Sequence, residues 1–176
     1  MKYLQGYPED LQAQARQLLA ENRLGDMLLQ RYPGTHPVRT DRALYYYVME
    51  LKSRYLRGAE RLSKVSFNNK LQVVAHALGT HTTISRVQGS KLKSKREIRI
   101  SSLFKHGPPE FLHMIAVHEL AHLREKSHDK AFYQLCTYME PRYYQLEFDL
   151  RLYLTHLDSQ ADATRHPTPA GASIHA

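Results

Sequence analysis

From Met114 to Leu123 the chain is apolar except at three positions, His118, Glu119 and His122. A helix that is apolar nearly all round belongs in a protein interior. Polar side chains placed there cost stability unless each finds a partner. The spacing names one. His118 and His122 are four residues apart, so on a helix they stand one turn apart on one face with their imidazoles converging. Two neutral imidazoles are good ligands for a borderline ion such as zinc. Glu119, beside the first ligand, is placed to take a proton from a water that the ion has acidified to a pKa of about 7.

A catalytic site of this kind needs a third protein ligand and an open position. His128 is the first candidate. It follows His118 by ten residues, about 15 Å of rise on an unbroken helix and too far to share an ion. The helix must therefore end between His122 and His128. Arg124-Glu125-Lys126-Ser127 is polar and permits a turn, and Ser127 is placed to cap a following helix. Glu140 and Glu147 are the rival third ligands.

The remaining chain reads as mixed helix and strand. Pro8-Glu9-Asp10 opens a helix with Leu11, Ala15, Leu18 and Leu19 at helical spacing; Gly25-Asp26 is expected to interrupt it before it continues to about Tyr32. Pro33 to Pro37 is a loop. Thr40 is expected to cap a second helix with Leu44, Val48, Leu51 and Tyr55 as its stripe, and Gly58 to end it. Val65 and Phe67 alternate with polar residues and Asn68-Asn69 turns. Leu71 to Leu78 fits strand or helix. Thr82 to Val87 is strand-like, Gln88-Gly89-Ser90 turns, and Glu97 to Ser101 alternates as a half-buried strand does. Pro108-Pro109 opens the helix of the histidine pair, which runs to about Arg124. Further helices are expected over roughly His128 to Met139 and Tyr143 to Leu157. Residues 1–157 are expected to form one domain, helical over 1–62 and catalytic over 63–157, followed by a disordered tail over 158–176.

Composition limits the setting. Cys136 is the one cysteine, so an intrachain disulfide is excluded. The first residues hold no apolar core of signal-peptide length, and no stretch approaches the roughly 20 apolar residues of a membrane span. A cytoplasmic protein without membrane contact is expected. The formal net charge is +8 and the pI about 9.6. A basic balance attracts nucleotides, nucleic acid or acidic surfaces without specifying any of them.

The run His118-Glu119-Leu120-Ala121-His122-Leu123-Arg124-Glu125-Lys126-Ser127-His128-Asp129-Lys130-Ala131-Phe132-Tyr133 closely resembles the signature of the YgjP-like metal-dependent hydrolases, whose motif is similar to those of the SprT and WLM proteases. The resemblance extends over roughly Thr82 to Leu157 and includes the Pro-Pro-Glu-Phe-Leu helix start. It implies His118, His122 and His128 as metal ligands and Glu119 as general base. It also implies an α+β, zincin-like fold: a small antiparallel sheet packed on the active-site helix, with N-terminal and C-terminal helices around them. The family's hairpin often reads Arg-Trp-Gly-Ser-Cys, where this chain has Arg86-Val87-Gln88-Gly89-Ser90.

Three functions compete. The first is a zinc metallopeptidase, with the strand from Ile98 to Ser101 pairing with an extended peptide substrate and an oxyanion donor drawn from Arg86, Tyr133, Arg142, Tyr143 or His156. The second is hydrolysis of a nucleotide or other phosphoanhydride, its phosphates gripped by the basic hairpin Lys91-Arg99 through Lys91, Lys93, Lys95, Arg96 and Arg99. No Gly-rich phosphate loop accompanies that cluster. The third is a DNA-associated, SprT-like protease in which Lys52, Arg54, Arg57, Arg61 and Lys64 add phosphate contacts. Zinc is expected from the ligand type, and nickel, cobalt or manganese suits the same histidines.

Overall fold

The computed structural model describes residues 1–69 and 96–165. Three helices come first: α1 (Glu9–Ala20), α2 (Leu24–Arg31) and α3 (Asp41–Tyr55). Strands β1 (Leu62–Asn68) and β2 (Arg96–Ser101) follow, then α4 (Pro109–Ala121), α5 (Lys130–Met139) and α6 (Tyr143–Arg165). This is an α+β chain rich in helix. It divides into two compact units, one of Met1–Arg31 with Asp149–Ala176 and one of Tyr32–Phe148.

In the first unit, the interruption expected at Gly25-Asp26 falls three residues earlier. Helix α1 ends at Ala20, and Asn22 adopts a left-handed conformation with φ of 54°. The amides of Asn22 and Arg23 then reach back to the carbonyls of Leu19 and Leu18. Asparagine tolerates this geometry better than most residues, so it closes the helix as glycine commonly does. Gly25 is instead inside α2, where its missing side chain matters for packing: a Cβ there would stand 2.5 Å from the ring of His156. Asp149 is wholly buried, and the guanidinium of Arg31 grips both its oxygens at 3.0 and 2.9 Å. Tyr3 donates to Asp158 at 3.2 Å and Lys2 pairs with the same carboxylate at 2.5 Å. These ties help α6 continue to Arg165, past the end expected at Leu157.

In the second unit, Thr40 caps α3 as expected, its hydroxyl accepting from the Ala43 amide at 3.1 Å. The start of α3 is fastened to β1 where Asp41 accepts from the Phe67 amide at 2.9 Å. Leu44, Val48 and Leu51 face inward. Among the described residues β1 and β2 pair in parallel, with Val65 opposite Ile98 and Phe67 opposite Ile100. A parallel pair cannot be closed by a tight turn and needs a crossover of a dozen or more residues. The chain between Asn68 and Arg96 is long enough for one. The antiparallel sheet was expected from a hairpin of Thr82–Val87 with Glu97–Ser101; its first strand and turn, and the segment Leu71–Leu78, lie outside the described residues. β1 packs on α3 and β2 against α4. His36, buried, joins the loop before α3 to the segment after β2, with Nε2 2.8 Å from the Phe104 carbonyl and Nδ1 3.2 Å from the Val38 amide.

Replacing Arg31 with methionine keeps the aliphatic stem and removes both bonds to a buried carboxylate. A loss of about 2 kcal/mol is expected from charge-assisted hydrogen bonds of this kind, read as a lower urea midpoint with an unchanged slope.

Candidate metal centre

Helix α4 starts at Pro109, whose fixed φ and missing amide hydrogen suit the first helical position. Phe111, Met114, Ile115, Val117 and Leu120 are all buried, so the helix is covered on every side. His118 and His122 share this burial at 2% exposure each, and Glu119 is buried beside them. The helix ends at His122 itself. Its last turn tightens, with the Leu123 amide bonded to the Leu120 carbonyl and the Arg124 and Glu125 amides both bonded to that of Ala121. The chain then reverses without a glycine. Asp129, rather than Ser127, caps the next helix by accepting from the Phe132 amide at 3.1 Å. His128 is thus left in the connection, ahead of the helix, where it folds back over the pair.

The three imidazoles meet. His128 Nε2 lies 3.0 Å from His122 Nε2 and 3.2 Å from His118 Nε2. His128 is exposed, so the group opens toward solvent on its side. The outward nitrogens are occupied. His122 Nδ1 is 2.8 Å from the carbonyl oxygen of Glu125. A carbonyl only accepts, so Nδ1 carries the hydrogen and Nε2 of the neutral ring carries a lone pair. His118 Nδ1 is 2.6 Å from the hydroxyl of Tyr143. Lone pairs directed at one point repel, and a cation between them removes the repulsion. Nitrogens bound at about 2.0–2.1 Å to a tetrahedral ion stand about 3.4 Å apart, so the triangle is of coordination size. The residues fit a divalent metal ion.

Phe132 holds the arrangement from beneath. Its fully buried ring lies 5.0, 4.4 and 4.7 Å from the rings of His118, His122 and His128. Partial burial lowers the His128 pKa against the opposing pull of Glu147, which favours the neutral ring a metal requires. Burial pushes Glu119 up to about 8; a nearby cation would favour its carboxylate form. Of the rival ligands, Glu140 is committed elsewhere. It accepts from the Arg142 amide at 2.9 Å and faces His113 Nε2 at 3.4 Å, while His113 Nδ1 meets Tyr47 at 3.1 Å. Glu147 is buried and acts electrostatically on His128, but does not join the group of three.

The other candidates are dispersed. Tyr143 sits behind His118, and Tyr133 stacks on Tyr144 at 5.5 Å. Arg142 bonds Glu140, and His156 packs against Gly25 in the other unit. Arg86, Lys91, Lys93 and Lys95 lie outside the described residues. Arg96 pairs with Glu60, Arg99 with Glu97, and Lys52 donates to the Ala59 carbonyl. Sequence reasoning missed the Glu125 carbonyl, which has no side-chain signature, and the hydrogen bond that Tyr143 makes to a ligand. No helix among the described residues is long and apolar enough to cross a membrane.

A family model described as YgjP-like, metallopeptidase domain, matches residues 47–153. The UTP pyrophosphatase of Escherichia coli (strain K12) is 59% identical over 157 residues, which cover 89% of this chain and 94% of that protein. No solved structure matches.

Two measurements check this packing. Phe132→Ala should cost about 3–5 kcal/mol, as large aromatic truncations in a core do, seen in urea unfolding. Cys136 is buried and its thiol is pushed up to about 12 by that burial, so it stays protonated through neutral and mildly alkaline pH. Ellman's reagent at pH 8 should leave it unlabelled in the native protein and label it fully after denaturation.

Proposed function

Because the chain belongs to the YgjP-like family, we propose that it is a zinc-dependent hydrolase in which His118, His122 and His128 hold the ion and Glu119 is the general base. The observation that supports this most is the triangle of Nε2 atoms, 3.0 and 3.2 Å along two sides, with the His122 Nδ1 turned away onto a carbonyl. Three imidazoles leave one position of a tetrahedral zinc ion for water, as catalytic sites require. Nickel and cobalt suit the same ligands, so the ion found in purified protein depends on supply as well as on the site. The bound ion supplies a positive charge that acidifies water and polarises a substrate oxygen.

The chain's own residues do the remainder. Glu119 takes a proton from the attacking water and returns it to the leaving group. Burial favours the neutral form of this carboxyl, and a bound cation beside it would favour the carboxylate that accepts the proton. The Glu125 carbonyl and the Phe132 ring keep His122 from turning. A zincin-like arrangement, with β2 packed against the ligand-bearing helix, is part of this reading.

The substrate we infer is a nucleoside triphosphate, hydrolysed at a phosphoanhydride bond to a monophosphate and pyrophosphate. The 59% identity to the UTP pyrophosphatase of Escherichia coli supports this. It ranks above peptide hydrolysis, which the motif by itself favours and which the family description supports as the second reading. In that reading, β2 aligns an extended peptide beside the metal. A DNA-associated protease ranks third, because Lys52, one of the contacts particular to it, already donates to the Ala59 carbonyl and neither similarity points to DNA. Cytoplasmic residence is proposed with these readings.

Purified protein should hold about one zinc per chain, lost in His122→Ala and His128→Ala. It should release pyrophosphate from UTP, and Glu119→Gln should slow this by about 10²–10⁴-fold with the metal retained. Peptide cleavage without nucleotide turnover would transfer the assignment to the peptidase. Full activity in Glu119→Gln, or no metal uptake even from added zinc, would sink the mechanism.

A further inference from the structure

Tyr143 opens helix α6 and is completely buried, at 0% exposure. Its hydroxyl oxygen is 2.6 Å from His118 Nδ1, while the other nitrogen of the same ring, Nε2, faces His128 at 3.2 Å. The Tyr143 and His118 rings are 6.3 Å apart and inclined by only 17°, so the hydroxyl lies close to the plane of the imidazole, where an N–H points. The thiol of Cys136, itself wholly buried, is electrostatically coupled to the same hydroxyl.

A tyrosine hydroxyl both donates and accepts, so its contact with His118 alone does not set the direction of the bond. The metal sets it. A ligating Nε2 must offer a lone pair, which puts the hydrogen of the neutral ring on Nδ1. Tyr143 must then accept, and its own hydrogen needs somewhere else to go. The buried sulfur of Cys136, coupled to that hydroxyl, can accept it. The order His118 Nδ1–H to Tyr143 Oη–H to Cys136 Sγ gives both the imidazole and the phenol hydrogen an acceptor in a water-poor interior.

We propose that Tyr143 is a positioning residue for the metal ligand His118, accepting its Nδ1 hydrogen and passing its own to Cys136, and is not a donor to the reacting oxygen. The inference rests on the metal site proposed above and deepens it. An oxyanion donor has to face the substrate with a hydrogen to spare. Tyr143 is sealed from solvent behind His118, with its oxygen 2.6 Å from Nδ1 of that ring. Residues that orient metal-bound histidines in this way typically contribute 10–100-fold to metal affinity.

The test is Tyr143→Phe, which removes only the oxygen, with Cys136→Ala as a second variant that leaves the tyrosine in place. Zinc affinity of each is measured by competition with a chromogenic chelator. Expected for Tyr143→Phe is a 10–100-fold weaker dissociation constant, with turnover per bound zinc within a few-fold of wild type at saturating zinc. Cys136→Ala should shift affinity in the same direction by less. In zinc-loaded wild type, nitrogen-15 NMR should show one His118 signal as a protonated, slowly exchanging Nδ1, and Tyr143→Phe should speed that exchange. The opposite pattern, unchanged zinc affinity with turnover reduced 10²–10³-fold, would identify an oxyanion donor and overturn the proposal while leaving the metal site intact. Wild-type protein that takes up no zinc would overturn both.

Discussion

Helix α4 carries two imidazoles and a carboxyl into a region where nearly every other side chain is apolar, and the surrounding structure is organised around making that burial tolerable. Unpartnered polar groups in such a place would cost several kcal/mol. Each of the two histidines is therefore held at both nitrogens. The outward nitrogens go to a carbonyl and a phenol, and the inward ones to each other's vicinity through His128. Hydrogen bonds among three Nε2 atoms cannot all be made at once, since a proton between two of them leaves the third without one. This residual frustration is what distinguishes a group awaiting a cation from a cluster of satisfied core histidines.

The reversal after His122 is the second requirement, and it is achieved by backbone geometry. On a longer helix His128 would be carried about 15 Å along the axis from His118. Ending α4 at His122 lets His128 fold back onto the pair. The same turn exposes the Glu125 carbonyl to His122 Nδ1. Helix termination, ligand recruitment and tautomer selection are thus one local event. The Asp129 cap then fixes the start of α5 so that Phe132, three residues on, lands beneath all three rings. A change in this short connection would disturb all of these features together.

What was legible in the sequence follows from which signals are local. The burial of α4, the convergence of His118 and His122, the Thr40 cap and the alternation of β2 all depend on periodicity or on one residue's chemistry, and each appears where it was expected. The helix break moved from Gly25 to Asn22 because glycine was read as punctuation when it serves close packing against His156. Cap choice between Ser127 and Asp129 turns on where the chain leaves the reversal, a tertiary matter. Alternation says which face of a strand is buried and nothing about which strand lies alongside. The partner of β2 among the described residues is β1, in parallel. Tyr143 is a candidate for chemistry by residue type, and only the structure shows it buried and 2.6 Å from His118.

The family description speaks of a metallopeptidase and the Escherichia coli relative is a UTP pyrophosphatase. These are compatible once the chemistry is divided. A metal-activated water and a buried carboxyl base specify how a nucleophile is made, and say little about the bond it attacks, because carbonyl and phosphoryl centres both need a polarised oxygen and a protonated leaving group. Selectivity has to come from groups that hold the rest of the substrate. An extended peptide is held by main-chain pairing to a strand, and a triphosphate by fixed cations. Neither device belongs to α4. A chain with this motif can therefore change substrate class by altering residues away from the ligands while His118, Glu119, His122 and His128 stay as they are. On that argument, close similarity across the whole length is the better guide to substrate, and the motif is the better guide to mechanism. Similarity covering 89% of this chain reaches well beyond the ligand-bearing segment, which is why it is given the greater weight for the nucleotide reading.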